Sequence, residues 1–252
     1  LLMIRVMPCL LLQNSKLVKT VKFKDPNYIG DPVNAIKIFN EKEVDELIFL
    51  DITSTFENKS PPFKIIKQIA SECFMPLTYG GGIRSIEDMR TIFSLGVEKI
   101  AINSNFHENA DLVREAAKIF GNQSIVVSID AKKKMLGGYE TYINGGRIGT
   151  RTDPITVAKR AEAAGAGEIL LTSIDQDGTM QGYDTDLIRS VASEINVPLI
   201  ACGGAGKVED FAHAVKAGAS AVAAGSMVVY QGRHRGVLIN FPSQKELRKV
   251  LQ

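Results

Sequence analysis

Two glycine-rich runs, Gly80-Gly81-Gly82 and Gly203-Gly204-Ala205-Gly206, each close an apolar stretch and lead directly into helical sequence. Glycine allows close backbone approach and positive φ, and the first N–H groups of a helix, with its macrodipole, favour an anion. The next apolar stretch in each case ends in Asn103-Ser104 or Gly225-Ser226, adding amide, hydroxyl and backbone donors beside the same spot. Gly82, Asn103 and Ser104 thus form one candidate phosphate cup, and Gly203, Gly204, Gly225 and Ser226 a second. Two cups imply a small ligand with two phosphate groups. No G-x-G-x-x-G or G-x-x-x-x-G-K-[ST] pattern occurs, which removes dinucleotide and P-loop chemistry.

Between the cups the sharpest candidate is Asp130, which closes the apolar run Ile125–Ile129. Partial desolvation there raises a carboxyl group toward the range useful for general acid or base work. Asp51, Thr172 and the Asp175-Gln176-Asp177-Gly178 stretch end other apolar runs. Lys19 lies in a loop with Lys16, Lys22 and Lys24, where a cation can fold over an anionic substrate as a mobile lid or simply remain solvated. Arg5, Glu46, Lys99 and Glu168 stand at the opposite ends of four runs and sum to zero charge. Turned inward they would form a ring of ion pairs, although spacing alone favours solvated charges. His107, His213 and His234 have no partners at ligand or triad spacing and read as surface or helix residues.

The elements that must position these groups are eight short runs at Ile4–Leu10, Glu46–Asp51, Met75–Tyr79, Lys99–Ile102, Ser124–Asp130, Glu168–Thr172, Pro198–Cys202 and Ala221–Ala224. They are almost continuously apolar, as strands buried on both faces are. Helical stretches lie between them, with start signals at Asp31-Pro32, at Ser85 with Asp88, and at Thr152-Asp153-Pro154. Eightfold βα alternation in 252 residues matches one (β/α)8 barrel. Placed 122 residues apart, 81–104 and 203–226 share seven identities in 24 positions, so the barrel is read as two pseudo-symmetric halves within one domain, 1–252.

Composition narrows the partners. Apolar residues make up 45% and charged residues 23%, with a formal charge of +2 and no basic face carrying aromatic residues, so nucleic acid is excluded as a partner. The short Lys132-Lys133-Lys134 run reads as a solvated loop or as help for an anionic ligand. Cys9, Cys73 and Cys202 lack C-x-x-C spacing, which indicates no disulfide framework and no metal site and fits a reducing cytoplasm. No run reaches the ~20 apolar residues of a membrane span, and strand-like sequence directly follows Leu1-Leu2-Met3, whose Leu pair reads as an alternative start or a cloning scar.

The chain resembles the cyclase subunit family of imidazole glycerol phosphate synthase over nearly its whole length. The resemblance rests on Pro8-Cys9-Leu10, Gly30-Asp31-Pro32, Asp45-Glu46-Leu47, Leu50-Asp51-Ile52-Thr53, Gly80–Ser85, Ile102-Asn103, Ser128–Lys132, the run from Gly165 to Thr179, and Gly203–Gly206. It implies a two-fold (β/α)8 barrel without a cofactor that adds ammonia from a glutaminase subunit to a bisphosphate ribonucleotide of histidine synthesis. The products are imidazole glycerol phosphate and an aminoimidazole carboxamide ribotide. It further implies Asp130 as general acid/base, Lys19 in a closing loop, and Asp177 and Gly178 beside the phosphates. Arg5, Glu46, Lys99 and Glu168 match the family's ammonia gate.

One position departs. Where the family has an aspartate at the end of strand one, this chain reads Leu11 within Pro8-Cys9-Leu10-Leu11-Leu12. Leucine cannot move a proton, so cyclase turnover is expected to fall by ~10²–10⁴-fold. With the divergent Lys19–Lys24 loop and the His234–Ile239 tail, this resembles a second branch of the family associated with surface-polysaccharide gene sets. There, ammonia is implied to go to an acetamidino sugar through a separate ATP-using amidotransferase.

Overall fold

Strands covered on both faces need partners on both edges, and eight of them meet that need by closing on themselves. The structure, a computed structural model, describes residues 4–252; the Leu1-Leu2-Met3 opening lies outside them. The barrel strands are β1 (Arg5–Gln13), β2 (Leu47–Asp51), β3 (Leu77–Gly80) and β4 (Lys99–Ile102), then β5 (Ile125–Lys133), β6 (Glu168–Ser173), β7 (Leu199–Cys202) and β8 (Ala221–Ala224). All pair in parallel and in sequence order, and β8 returns to β1, so the sheet is a closed (β/α)8 barrel. Eight helices follow the strands: α1 (Pro32–Asn40), α2 (Phe63–Glu72), α3 (Ile86–Ser94), α4 (Ala110–Phe120), α5 (Pro154–Ala164), α6 (Thr185–Ala192), α7 (Val208–Lys216) and α8 (Gln244–Leu251). Asp31, Ser85 and Asp153 cap α1, α3 and α5 as their start signals require.

The two halves share backbone detail, not just sequence. Leu50 pairs with Gly80 between β2 and β3, and Thr172 with Cys202 between β6 and β7, a constant offset of 122 residues. Asn103 (φ −118°, ψ −90°) and Gly225 (φ −107°, ψ −81°) turn the chain alike into short helices at Ser104–Glu108 and Ser226–Val229. Asp88 accepts from the backbone N–H groups of Arg84 and Ser85, and Asp210 does the same for Gly206 and Lys207. The repeated Glu-Asp pair is thus partly a capping requirement.

Two strands run further than their apolar runs predict. β1 continues to Gln13 because it pairs antiparallel with Lys16–Val21, which pairs in turn with Lys24–Gly30. β5 continues to Lys133 because it pairs with Tyr139–Ile143. Lys132, Lys133 and Lys134 are exposed along that second ribbon, and Lys132 also lines the cavity at the mouth. These extensions rise from the C-terminal ends of opposite strands and wall the barrel mouth. Inside the barrel, Met7, Ile48, Ala101, Val126, Leu170, Ile200, Ala221 and Ala223 pack into an apolar cluster distinct from the outer core between strands and helices. Among the described residues, no helix is long and apolar enough to cross a membrane.

Gly81 (φ +125°) and Gly203 (φ +95°) mark equivalent points where β3 and β7 leave the sheet. A Cβ at either would strike a backbone carbonyl of the preceding strand, Asp51 or Ser173, which are themselves 122 residues apart. Gly81→Ala and Gly203→Ala should each lose about 2–4 kcal/mol by a combination of strained φ and backbone displacement. Urea unfolding should return similar losses for the two, since the geometry is shared.

Candidate active site

At the N-terminal rim, the four charges that spacing alone left in solvent instead meet across the barrel. Arg5 donates to Glu46 at 2.8 Å and to Glu168 at 2.8 Å, while Lys99 reaches Glu168 at 2.6 Å and Glu46 at 3.4 Å. Each carboxylate is held by both cations, so the ring has no unpaired member. Inward-facing positions at a strand start cannot hold an isolated charge, and neutral closure is what makes these four tolerable. Burial opposes the charges of Arg5 and Glu168. The hydrogen bonds and charges they exchange outweigh it, holding Arg5 above its ordinary range and, with Lys99, Glu168 below.

At the other rim lies a cavity of about 870 Å³. Gly82, Asn103 and Ser104 line one side and Gly203, Gly204, Gly225 and Ser226 the other, which brings together every member of the two cups. Gly82 (φ +71°) and Gly204 (φ +112°) take backbone angles that suit glycine. The Ser104 hydroxyl accepts from the Asn144 N–H at 3.0 Å and keeps its own proton for a ligand. The Ser226 hydroxyl is buried without any protein partner. A buried hydroxyl left unsatisfied at such a position suits an incoming acceptor oxygen.

Asp130 lies between the cups, buried, and accepts from the Asn103 amide at 2.7 Å. Burial pushes its carboxyl up to about 7, against the pull of the Asn103 hydrogen bond and with help from the Asp177 charge. Leu11 lines the same cavity from β1, in register with Leu50 of β2 and Val18 of the ribbon. Two other carboxylates line the cavity, Asp51 and Asp177. Asp51 caps the short helix Ile52–Glu57 by accepting from the Ser54 N–H at 2.9 Å, and burial raises its pKa. Asp177 is fully engaged elsewhere.

Lys19 is not the solvated lid cation that isolated lysines suggest. It is 5% exposed and forms a 2.7 Å ion pair with Asp177, whose other oxygen accepts from the Thr20 hydroxyl at 2.8 Å and the Phe23 N–H at 3.1 Å. Lys22 N–H adds a bond to the Asp177 carbonyl. The loop is therefore a β-ribbon latched to the segment after β6. Gly178 (φ +72°) packs under Thr20 and Val21, and its carbonyl accepts from Arg235 at 2.7 Å.

Several groups at the mouth carry no local sequence signal. Arg147 lies 3.7 Å over the Phe56 ring, joining the β5 ribbon to the loop after β2. Cys9 and Cys202, far apart in the chain, both line the cavity with Thr172. Of the histidines, His213 and His234 are exposed, whereas His107 is half-buried on the Ser104–Glu108 helix, where burial and Arg160 depress its pKa.

Together these features define a two-fold (β/α)8 barrel with paired glycine-rich turns at one rim and a neutral charged ring at the other. Residues 5–235 match the family described as Histidine biosynthesis protein, and the chain belongs to that family. It is 50% identical over 244 residues to the Pseudomonas aeruginosa protein named "Putative imidazole glycerol phosphate synthase subunit hisF2", covering 96% of this chain and 97% of the relative. The Vibrio vulnificus "Putative imidazole glycerol phosphate synthase subunit hisF3" is 45% identical over 253 residues (98% and 96%). The Endomicrobium trichonymphae "Imidazole glycerol phosphate synthase subunit HisF" is 45% identical over 228 residues (90% and 88%).

Asp177→Ala strips partners from a buried ammonium, a hydroxyl and an amide at once. It should destabilise the chain by about 3–5 kcal/mol and speed proteolysis within 16–30 more than elsewhere. For pH, Glu168 is depressed, so its contribution is complete above its unfolded pKa of about 4.3 and is lost as pH falls below it. Asp130 is raised, so its contribution is lost as pH rises through about 7. Urea midpoints from pH 3 to 9 should show a flattened acid limb in Glu168→Gln and a gain for Asp130→Asn above pH 7.

Proposed function

We propose that this chain is an ammonia-using synthase subunit of the imidazole glycerol phosphate synthase type, whose mouth chemistry is altered by Leu11. A glutaminase subunit would dock on the ring end, and ammonia would pass between Arg5, Glu46, Lys99 and Glu168 into the barrel. The observation that carries this reading is the closed, neutral ring beneath an apolar interior. A barrel core is ordinarily packed, and a route through it needs an opening that ion pairs can make and remake. Neutral ammonia partitions into such an interior, where it escapes protonation. At the mouth, the two cups would hold the phosphates of a bisphosphate ribonucleotide. Asp130, poised to about 7, would give and take the proton of the ammonia addition.

Leu11 favours a second reading. Leucine at position 11 leaves the end of β1 without the second carboxyl that the two-carboxylate reaction needs, and Asp177 is committed to Lys19. On this reading the barrel conducts ammonia to a third protein, an ATP-using amidotransferase that builds an acetamidino group on a surface-polysaccharide sugar.

One set of assays separates the two. On either reading, adding the barrel raises the activity of its glutaminase, and a barrel that binds no glutaminase refutes both. Supplied with ammonium salt and the histidine-pathway bisphosphate, the wild-type barrel should turn over ~10²–10⁴-fold below a two-carboxylate cyclase, and Leu11→Asp should recover at least ~10-fold. A Leu11→Asp barrel that binds the bisphosphate yet makes no product would leave only the conducting role.

A further inference from the structure

The two cups are built on one repeat, yet their charges differ. Within the ungapped repeat, Arg84 stands where the second half has Gly206. The backbone is alike at the two positions, since each N–H donates to a capping aspartate, Arg84 to Asp88 at 3.0 Å and Gly206 to Asp210 at 2.8 Å. Asp88 is thereby spent on the start of α3. Arg84 lines the cavity two residues beyond Gly82, and the Ile83 carbonyl between them accepts from the Asn105 amide. That bond ties the Arg84 segment to the Ser104–Glu108 helix of the same cup.

Arg147 comes to the same cup from the β5 ribbon. Its turn begins at Asn144, whose N–H donates to the Ser104 hydroxyl, and the Arg147 N–H closes the turn on the carbonyls of Ile143 and Asn144. Gly145 in that turn packs so tightly against Phe56 that a Cβ would overlap the ring, and the Arg147 guanidinium covers the ring at 3.7 Å. Stacking fixes the plane of a guanidinium and leaves the N–H groups along its edge available. That is the arrangement in which arginine takes a phosphate with two parallel hydrogen bonds. Among the described residues, neither Arg84 nor Arg147 has a carboxylate partner. Of the acids lining the cavity on this side, Asp51 accepts from the Ser54 N–H and Glu108 is exposed.

Cup two is built differently. Gly203, Gly204, Gly225 and Ser226 offer backbone N–H groups and the unpartnered Ser226 hydroxyl. The cation beside them is Lys19, whose side chain a Cβ on Gly225 would meet, and Asp177 neutralises it at 2.7 Å. Lys22, Lys24 and Lys132 line the cavity from the ribbons but are exposed, and a hydrated ammonium on a flexible stem presents no fixed fork. We propose that Arg84 and Arg147 grip the phosphate of cup one and so rank the two cups. Cup one takes a terminal phosphate monoester as its dianion, because two guanidinium forks meet the doubled charge. Cup two, made of hydrogen-bond donors, takes a phosphate with a single charge, such as a diester, as readily as a monoester. This assignment rests on the two-cup reading and extends it to the ligand: one end is a free phosphate monoester, and that end sets which way round the ligand lies in the mouth.

The test reads each cup separately, by titrating the full isotope-labelled chain with methyl phosphate and following the backbone amides of Ser104 and Ser226 by NMR. At low salt and a pH of about 8, where methyl phosphate is a dianion, Ser104 should saturate at a concentration at least ~5-fold lower than Ser226. Dimethyl phosphate, with one charge, should show no such preference. Arg84→Gln and Arg147→Gln should each weaken methyl phosphate at Ser104 by ~3–10-fold and leave Ser226 unchanged, with unshifted amides elsewhere as the check on folding. Equal saturation of the two amides by methyl phosphate, or an affinity at Ser104 that survives both substitutions, would overturn the ranking while leaving the cups in place. Methyl phosphate that shifts neither amide would refute the cups themselves.

Discussion

A closed parallel barrel has an interior that water does not reach, and this single constraint decides where polar chemistry can stand. Along the middle of each strand an inward side chain must be apolar, as Met7, Ile48, Val126 and Leu170 are. Only the strand ends can carry charge, and even there a charge needs company. The N-terminal rim meets that demand with two cations and two carboxylates in a ring. The C-terminal rim meets it with backbone donors, a latched ribbon and a single poised carboxyl.

The latch shows how far one residue's partners extend. Asp177 joins Lys19, Thr20 and Phe23 of the ribbon to the segment after β6, and that segment's Gly178 is tied by Arg235 to the chain following β8. Three excursions from different strands thus share one anchor beside the second cup. The carboxylate that holds the ribbon cannot simultaneously act as a free base. Asp177, with both oxygens engaged, is committed to structure although it lines the same cavity as Leu11.

Leu11 also changes the character of the wall it occupies. With Leu50 beside it, Leu11 makes an apolar patch on the β1–β2 wall, whereas the β5–β7 side carries Asp130, Thr172 and Cys202. The site is therefore polarised. A ligand spanning the two cups would present one edge to hydrocarbon and the other to groups that move protons, which is a different field from one flanked by carboxylates on both sides.

Much of this was open to sequence reasoning. Continuous apolar runs, Asp-Pro and Ser…Asp starts, and a repeat at 122 residues specify eight βα units in two halves, because strand burial, helix capping and glycine turns are local demands that write themselves into local sequence. The cups were legible for the same reason: each is one turn plus the next strand end. The ring was not, since Arg5, Glu46, Lys99 and Glu168 are far apart in the chain and only barrel closure turns them toward one another. Nor was the burial of Lys19 against Asp177, which depends on strands β1 and β6 being brought round a common axis. Local chemistry determined the elements and the paired glycine turns. Which charges cancel and which acid is occupied were decided only when the sheet closed, because those are energies of pairs that the chain does not place side by side.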